Sequence, residues 1–384
     1  MTATDRVDLV VVGGGPAGLA TALGARRAGL DVTVLERFQP VVDKACGEGL
    51  MPDAVAHLRD LGVEFGPGET SPFRGIRYVD GAVVAEGTFP GAGGLGVRRL
   101  ALHRALVRRA EEAGVRLLWG TGARGLAPAP GGPEKGYAGV ETDQGVIAAR
   151  WIVGADGLLS RVRRWAGLER PPGGLSEKSR RFGVRRHYQM TPWTDCVEVH
   201  WGPECEAYVT PVGPDLVGIA MLWSGEKLGF DDLLARFPAL RERLAGAPPA
   251  SRDRGAGPLH QRVRSVRRAN LALVGDAAGY LDAITGEGLA VALHQSAALI
   301  AALRLGSLAG YAAASRRIHR LPDAMTSLML ALERRPRLRT RAIRALAAEP
   351  ALFSLLLGIH GRLLPARSLG LDGALRLAWR LVAA

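Results

Sequence analysis

Cysteine is scarce: Cys46, Cys196 and Cys205 are the only three in 384 residues, and no two form a Cys-x-x-Cys pair. An odd, scattered set argues against a disulfide framework and a thiolate zinc site, and it fits a reducing compartment; no metal is expected. Aromatic residues make up only 5% of the chain and do not interleave with basic ones as on an RNA-binding surface. Lysine is limited to Lys44, Lys135, Lys178 and Lys227, so the formal charge of +13 rests on scattered arginine. That pattern reads as solvated surface with attraction to anionic cofactors or anionic membrane, and no nucleic-acid partner is expected. The apolar runs Leu9–Val12 and Leu352–Ile359 fall far short of the roughly 20 residues a spanning helix needs. Nothing near the N-terminus has the order of a signal peptide. The expectation is a cytoplasmic protein that can touch the inner face of a membrane.

What is present is 47% hydrophobic residues, enough to bury a sizeable core. Val7–Val12 is a continuous β-branched run of the kind that forms a buried parallel strand. Gly13-Gly14-Gly15-Pro16-Ala17-Gly18 follows, then a helix over Leu19–Ala28 closed by Gly29, then a second strand, Leu30–Leu35, ending at Glu36. The spacing has a chemical reason. Gly13 permits the tight turn, Gly15 lets the backbone approach a pyrophosphate, and Gly18 lets helix and sheet pack closely. Free N–H groups at the helix start attract the diphosphate. Glu36 can accept hydrogen bonds from a ribose 2′-hydroxyl, which suits FAD or NAD rather than NADP. Gly91–Gly96 also fits G-x-G-x-x-G but follows Phe89-Pro90 and lacks the distant acid, so it reads as a flexible loop.

Further along, a helix is expected over Leu100–Ala113 and a strand over Val115–Trp119. A hairpin follows over Tyr137–Ala149, and a buried strand, Trp151–Val153, runs into Gly154-Ala155-Asp156-Gly157-Leu158-Leu159-Ser160-Arg161-Val162-Arg163. Pro171-Pro172-Gly173-Gly174 marks a linker. Residues 181–222 read as four strands of an antiparallel sheet, Phe230–Leu244 as a helix, and Leu271–Val274 as another buried strand before Gly275-Asp276-Ala277-Ala278-Gly279. A helix opens after Gly286-Glu287-Gly288, and the tail from 309 is helical.

These separated signatures together resemble the FAD-dependent aromatic hydroxylase superfamily, the group A flavoprotein monooxygenases, which also holds geranylgeranyl reductases and flavin-dependent halogenases. The motifs are GGGPAG with Glu36, GADGLLSRVR at 154–163, GDAAGYLDAITGEG at 275–288, and the Arg99-x-x-Leu102-x-x-x-Leu106 helix. The resemblance implies an α/β fold. It comprises a Rossmann-type FAD-binding domain with a parallel sheet (1–75, 96–170 and 265–308), an inserted antiparallel-sheet substrate domain (76–95 and 171–264), and a helical C-terminal segment (309–384). It sets Pro16, Ala17, Arg37, Asp156, Gly275 and Leu289 along the cofactor. Asp276 would accept a hydrogen bond from a ribityl hydroxyl, and Arg99 would balance phosphate charge. The helix after Gly286 and Gly288 would aim its positive end at the flavin.

The resemblance also implies an enzyme, and it leaves the reaction open. Hydroxylation of an apolar phenolic, polyketide or isoprenoid-type molecule through a flavin C4a-hydroperoxide is the leading expectation, with NAD(P)H or a reductase partner as electron source. Reduction of isoprenoid C=C bonds is the alternative, favoured by Gly279 and by Lys44-Ala45-Cys46-Gly47-Glu48-Gly49-Leu50. A flavin-binding partner protein without turnover is the third. Halogenation is set aside because no lysine stands in a halogenase context. Trp193, Trp201, Tyr208, Met221 and Trp223 suggest a wide apolar pocket. Cys46, Tyr208 and His200 are the catalytic candidates, with His260 as a further titratable group; no general base is evident.

Overall fold

The computed structural model describes residues 6–171 and 180–371, together with residues 373, 375, 376 and 380. Lys178 and most of the Pro171–Gly174 linker lie outside the described residues, as do the extreme ends of the 1–75 and 309–384 segments.

The continuous apolar runs form the parallel sheet they encode. Val7–Val12 pairs in parallel with Val32–Glu36 on one side and Gly145–Gly154 on the other. Arg116–Trp119 and Leu271–Leu273 extend the sheet, again in parallel. Val10 and Val11 are fully buried, as expected for a strand covered on both faces. The helices Pro16–Arg27, Arg99–Glu112 and Gly288–Arg304 cover it. The first and last of these meet through the Thr21 and Ser296 hydroxyls at 2.9 Å, and the turn at Gly275 is tied to the last by its N–H, which donates to Gln295 Oε1 at 2.8 Å. Residues nearly three hundred positions apart are thereby fixed at the same end of the sheet.

A second sheet has seven strands, in the order Arg254–Ala256, Arg181–Gln189, Leu216–Ser224, Cys205–Gly213, Cys196–Gly202, Gly75–Asp80, Val83–Thr88. It is antiparallel except at one place, where Cys196–Gly202 runs parallel to Gly75–Asp80. The α/β class, the inserted sheet and the helical end are as the sequence implies.

Two local readings need correction. Gly91–Gly96 is not simply a loop, because Gly94–Val97 is a strand between Gly49–Leu50 and Thr70–Phe73. Its glycines are required by close packing: a Cβ on Gly96 would sit 1.7 Å from the Pro211 carbonyl oxygen. The helix expected over Phe230–Leu244 is two short ones, Phe230–Leu234 and Pro238–Arg243, since Pro238 cannot continue the first and instead starts the second.

The C-terminal helices Tyr311–Glu333, Pro336–Ala348 and Pro350–His360 bridge the two sheets. The Tyr311 hydroxyl donates to the Leu273 carbonyl at 2.6 Å at the parallel sheet. Phe353 stacks on Tyr78 of the second sheet, 5.1 Å between centroids.

Candidate active site

A cavity of about 1030 Å³ runs between the two sheets. At one end it is built from backbone and charge, at the other from apolar side chains.

The backbone-built end begins where Val7–Val12 stops. Gly13 has φ +114°, and a Cβ there would lie 2.4 Å from the Ala155 carbonyl oxygen. A Cβ on Gly18 would lie 1.9 Å from the Gly13 oxygen, so these two glycines serve the turn and the helix packing. Gly15 differs: its Cβ would meet nothing nearer than the Arg99 guanidinium at 3.8 Å. It caps the helix with Pro16 at the first turn, where the N–H groups have no intrahelical partner and the backbone lines the cavity. The Gly14 N–H donates to Glu36 Oε2 at 2.9 Å, and the Phe38 N–H to Oε1 at 3.1 Å. Glu36 thus braces the turn while still lining the cavity, as Arg37 does. Arg99 lines it too; its buried Nε has no partner among the described residues.

The late motif lies across the cavity. The Lys44 ammonium donates to Asp276 Oδ2 at 2.7 Å. Burial pushes the Asp276 carboxyl up, but Lys44, with Arg99 and Arg163 beyond it, holds it below the usual range. Gly286 has φ +71°, and a Cβ there would meet nothing within 4 Å. Gly288 and Leu289 start their helix at the cavity wall, with N–H groups left over from the intrahelical pattern.

Asp156 has a local task. It accepts from the Arg161 and Val162 N–H groups at 2.7 and 3.1 Å and from the Ser160 hydroxyl, capping the short helix Arg161–Trp165, and it also lines the cavity. Its neighbour Arg163 was not anticipated. Buried, it donates to the Ala277 and Leu158 carbonyls at 3.2 and 3.0 Å and to Gln261 Oε1 at 2.9 Å. It ties the middle motif to the late one.

A second unanticipated group is Glu48, which faces the cavity at φ +61°. Its Oε2 lies 2.5 Å from His187 Nε2, and its Oε1 accepts the Arg99 N–H at 2.8 Å. His187 Nδ1 meets the Ser251 hydroxyl at 2.8 Å, and Arg185 reaches Asp43 at 2.5 Å. The only sequence signal was Glu48 itself, inside the Cys-Gly segment. Cys46 also lines the cavity, its Sγ accepting the Glu48 N–H at 3.4 Å.

The other end is an apolar arm. Phe73, Ile76, Trp201 and Tyr208 come from the second sheet and its approach, and Met329, Leu346 and Leu357 from the C-terminal helices. The Tyr208 hydroxyl donates to the Ile284 carbonyl at 2.8 Å, anchoring the loop before Gly286. Of the five residues expected to line a pocket, Trp201, Tyr208 and Met221 do so. Trp193 and Trp223 belong to a separate core with Phe230 and Leu233. His200 and His260 are not in the lining; His200 pairs with Glu198 at 2.9 Å, beside Arg77 and Trp193.

The donor set fits FAD. An open glycine cradle, an unpartnered arginine nitrogen and free helix N–H groups suit a diphosphate. A carboxylate at the strand end and an unfilled glycine at a helix start suit the ribityl and ring portions. A model of the FAD binding domain matches residues 6–202, more than half the chain. The chain belongs to this FAD-binding family. The flavoprotein is 30% identical over 305 residues to the menaquinone reductase of Mycobacterium tuberculosis, covering 75% of this chain and 74% of that one. It is 29% identical over 330 residues to digeranylgeranylglycerophospholipid reductase 1 of Methanothermobacter thermautotrophicus, covering 80% and 77%. A flavoprotein/dehydrogenase from Cytophaga hutchinsonii shares the fold, with TM-score 0.79, 17% identity and 98% of each chain covered. The protein is a flavin-dependent oxidoreductase.

Proposed function

We propose that this flavoprotein reduces C=C bonds in the isoprenoid chain of a quinone or lipid. The observation that carries the reading is the arm beside the Asp276–Gly288 wall, which is lined mainly by apolar side chains; of its polar groups the Tyr208 hydroxyl is bonded to the Ile284 carbonyl and Arg339 to Asp80, while the buried Trp201 Nε1 has no partner among the described residues. A long, mainly apolar channel of this kind suits an extended hydrocarbon chain. The two reductases similar to this chain support it, and they favour the alternative expectation over the leading one of hydroxylation.

In this reading Gly13, Gly15, Pro16, Ala17 and Gly18 hold the diphosphate with Arg99, and Glu36 and Arg37 hold the adenosine side. Asp156, Gly275 and Asp276 border the ribityl chain, and Gly286, Gly288 and Leu289 face the ring. Bound and reduced, FAD would supply the hydride that, with one proton, saturates a double bond. The chain's own residues do the rest. The helix start at Gly288 would offer its positive dipole end to the negative charge that collects on a reduced flavin. Tyr208 fixes the loop that forms this wall, and Phe73, Trp201, Met329 and Leu357 exclude water and orient the isoprenoid. Cys46, which lines the cavity, is the candidate thiol. NAD(P)H or a reductase partner is the proposed electron source.

The test is anaerobic turnover. The yellow protein is reduced by dithionite or NADPH and mixed with a polyprenyl quinone or a geranylgeranyl lipid. The reading expects a product heavier by two hydrogens. A product that carries added oxygen and forms only in air would restore hydroxylation; a flavin that no reductant bleaches would mark a protein without turnover.

A further inference from the structure

The apolar arm opens to solvent at a defined place. Leu328 and Leu338 both line the cavity, yet they are 51% and 39% exposed. The arm therefore reaches the surface between the helices Tyr311–Glu333 and Pro336–Ala348. Arg337, Arg341 and Arg344 are exposed on the second helix and, with Pro336 and Thr340, line a shallow groove. Their spacing puts them in one stripe, and Leu338 and Ala342, one residue further on, put the adjacent stripe at the arm. Arg334 and Arg335 are exposed just before the helix.

From Arg334 to Ala348 there is no acidic residue. The flanking carboxylates are engaged: Glu333 is buried by Arg181, and Glu349 pairs with Arg380 at 2.8 Å. The sixth arginine of the segment, Arg339, turns inward to Asp80 at 2.9 Å. Along Arg334–Ala348 the rim thus joins an exposed leucine to a stripe of exposed guanidinium groups with no carboxylate in the same segment, the composition of a helix that lies in a membrane interface.

We propose that this rim docks on the surface of an anionic phospholipid bilayer. The Arg337–Arg341–Arg344 stripe meets headgroup phosphates, and Leu328 and Leu338 enter the apolar layer. A membrane-borne isoprenoid chain then passes into the arm without crossing water. The choice of occupant follows from charge: a bilayer bearing phosphates complements both the cationic stripe and the apolar rim beside it, whereas a soluble polyanion would leave the leucines in water. The use of the rim as a substrate entrance rests on the isoprenoid reading; the docking itself does not require turnover.

The test is flotation of the flavin-loaded protein with vesicles of phosphatidylcholine alone or mixed with phosphatidylglycerol. Binding is expected to the mixed vesicles only, and high salt should release it. Arg337→Glu/Arg341→Glu/Arg344→Glu should weaken binding by roughly tenfold or more, and Leu328→Ser/Leu338→Ser should weaken it as well. Arg59→Glu/Arg116→Glu/Arg241→Glu makes the same charge change on exposed arginines elsewhere and should leave it intact. Retained flavin absorbance reports folding in every variant. Equal binding to neutral vesicles, an arginine-stripe variant that floats as well as the parent, or an equal loss in the remote variant would overturn the proposal. So would binding to heparin with none to vesicles, which would mark a polyanion site. Turnover of a detergent-dispersed substrate separates the two readings: it should survive in the stripe variant, and its absence from the parent protein would count against isoprenoid reduction alone.

Discussion

The two ends of the cavity recognise their occupants by opposite means. The Gly13–Gly18 end uses backbone N–H groups, one arginine and a helix dipole, so its geometry is set by φ angles and by the lack of side chains. The arm uses side chains from four strands and three helices, so its shape is set by packing. A backbone site tolerates little, because a side chain on its glycines either strikes backbone, as at Gly13 and Gly18, or fills the open cradle, as at Gly15. A packed apolar wall can shift neighbouring rotamers and loses affinity by degrees.

The sharpest break of this contrast is Gly15→Val. The Cβ itself meets only Arg99 at 3.8 Å, so the fold should persist. The rest of the side chain fills the phosphate cradle, an overpacking effect of about 3 kcal/mol, which is about 100-fold in FAD affinity. Flavin titration with a thermal melt checks it; yellow protein at parental affinity would contradict the cradle.

Ala342→Phe should do the converse. Ala342 lines the arm, and overfilling it should cost about 1–3 kcal/mol in kcat/KM for a long-chain substrate. Flavin content and reduction of a short soluble quinone should not change. A loss of flavin instead would mean that the two ends are not separable.

A third prediction concerns the polar seam behind the arm. Burial pushes Glu206 up to about 7, although Arg181, 2.8 Å away, pulls the other way. Burial likewise pushes Glu287 up to about 8 against the pull of Arg362. Both groups hold a proton more tightly folded than unfolded. The stability tied to those protons is complete below the unfolded carboxylate value of about 4.3 and is lost as pH rises through the folded values. Thermal stability should therefore fall between about pH 5 and pH 8, and Glu206→Gln should flatten the slope by about 1 kcal/mol across that window. An unchanged slope would exclude Glu206 as its source.

The smallest effect is expected for Tyr208→Phe. It deletes the hydrogen bond to the Ile284 carbonyl, about 1 kcal/mol. A slight fall in melting temperature with a few-fold drop in turnover is the expected outcome; unchanged turnover would show that the loop is fixed by its other contacts.

The same contrast explains what could be read in advance. Val7–Val12, the glycine turn and Glu36 lie within thirty residues, and their local spacing encodes both strand order and turn geometry. Asp276 and Gly286 were legible because they recur in a motif. The Glu48–His187 pair spans 139 positions and has no local signature. The arm is harder still, since Tyr78, Trp201 and Phe353 look like ordinary core residues until three segments converge. Gly94–Val97 was missed because a strand of glycines exists only through its partners on both sides. Pro238 signals the division of Phe230–Leu244, which the apolar pattern by itself does not show.

The central claim is that one cavity holds flavin at its backbone-built end and an isoprenoid chain in its side-chain-built arm. Photolabelling of the flavin-loaded protein with a diazirine-bearing prenyl chain tests it most directly. The account predicts adducts on peptides containing Trp201, Tyr208 and Met329–Leu346, suppressed by excess unlabelled chain and by Ala342→Phe. Adducts scattered over the surface, or insensitive to both, would contradict it.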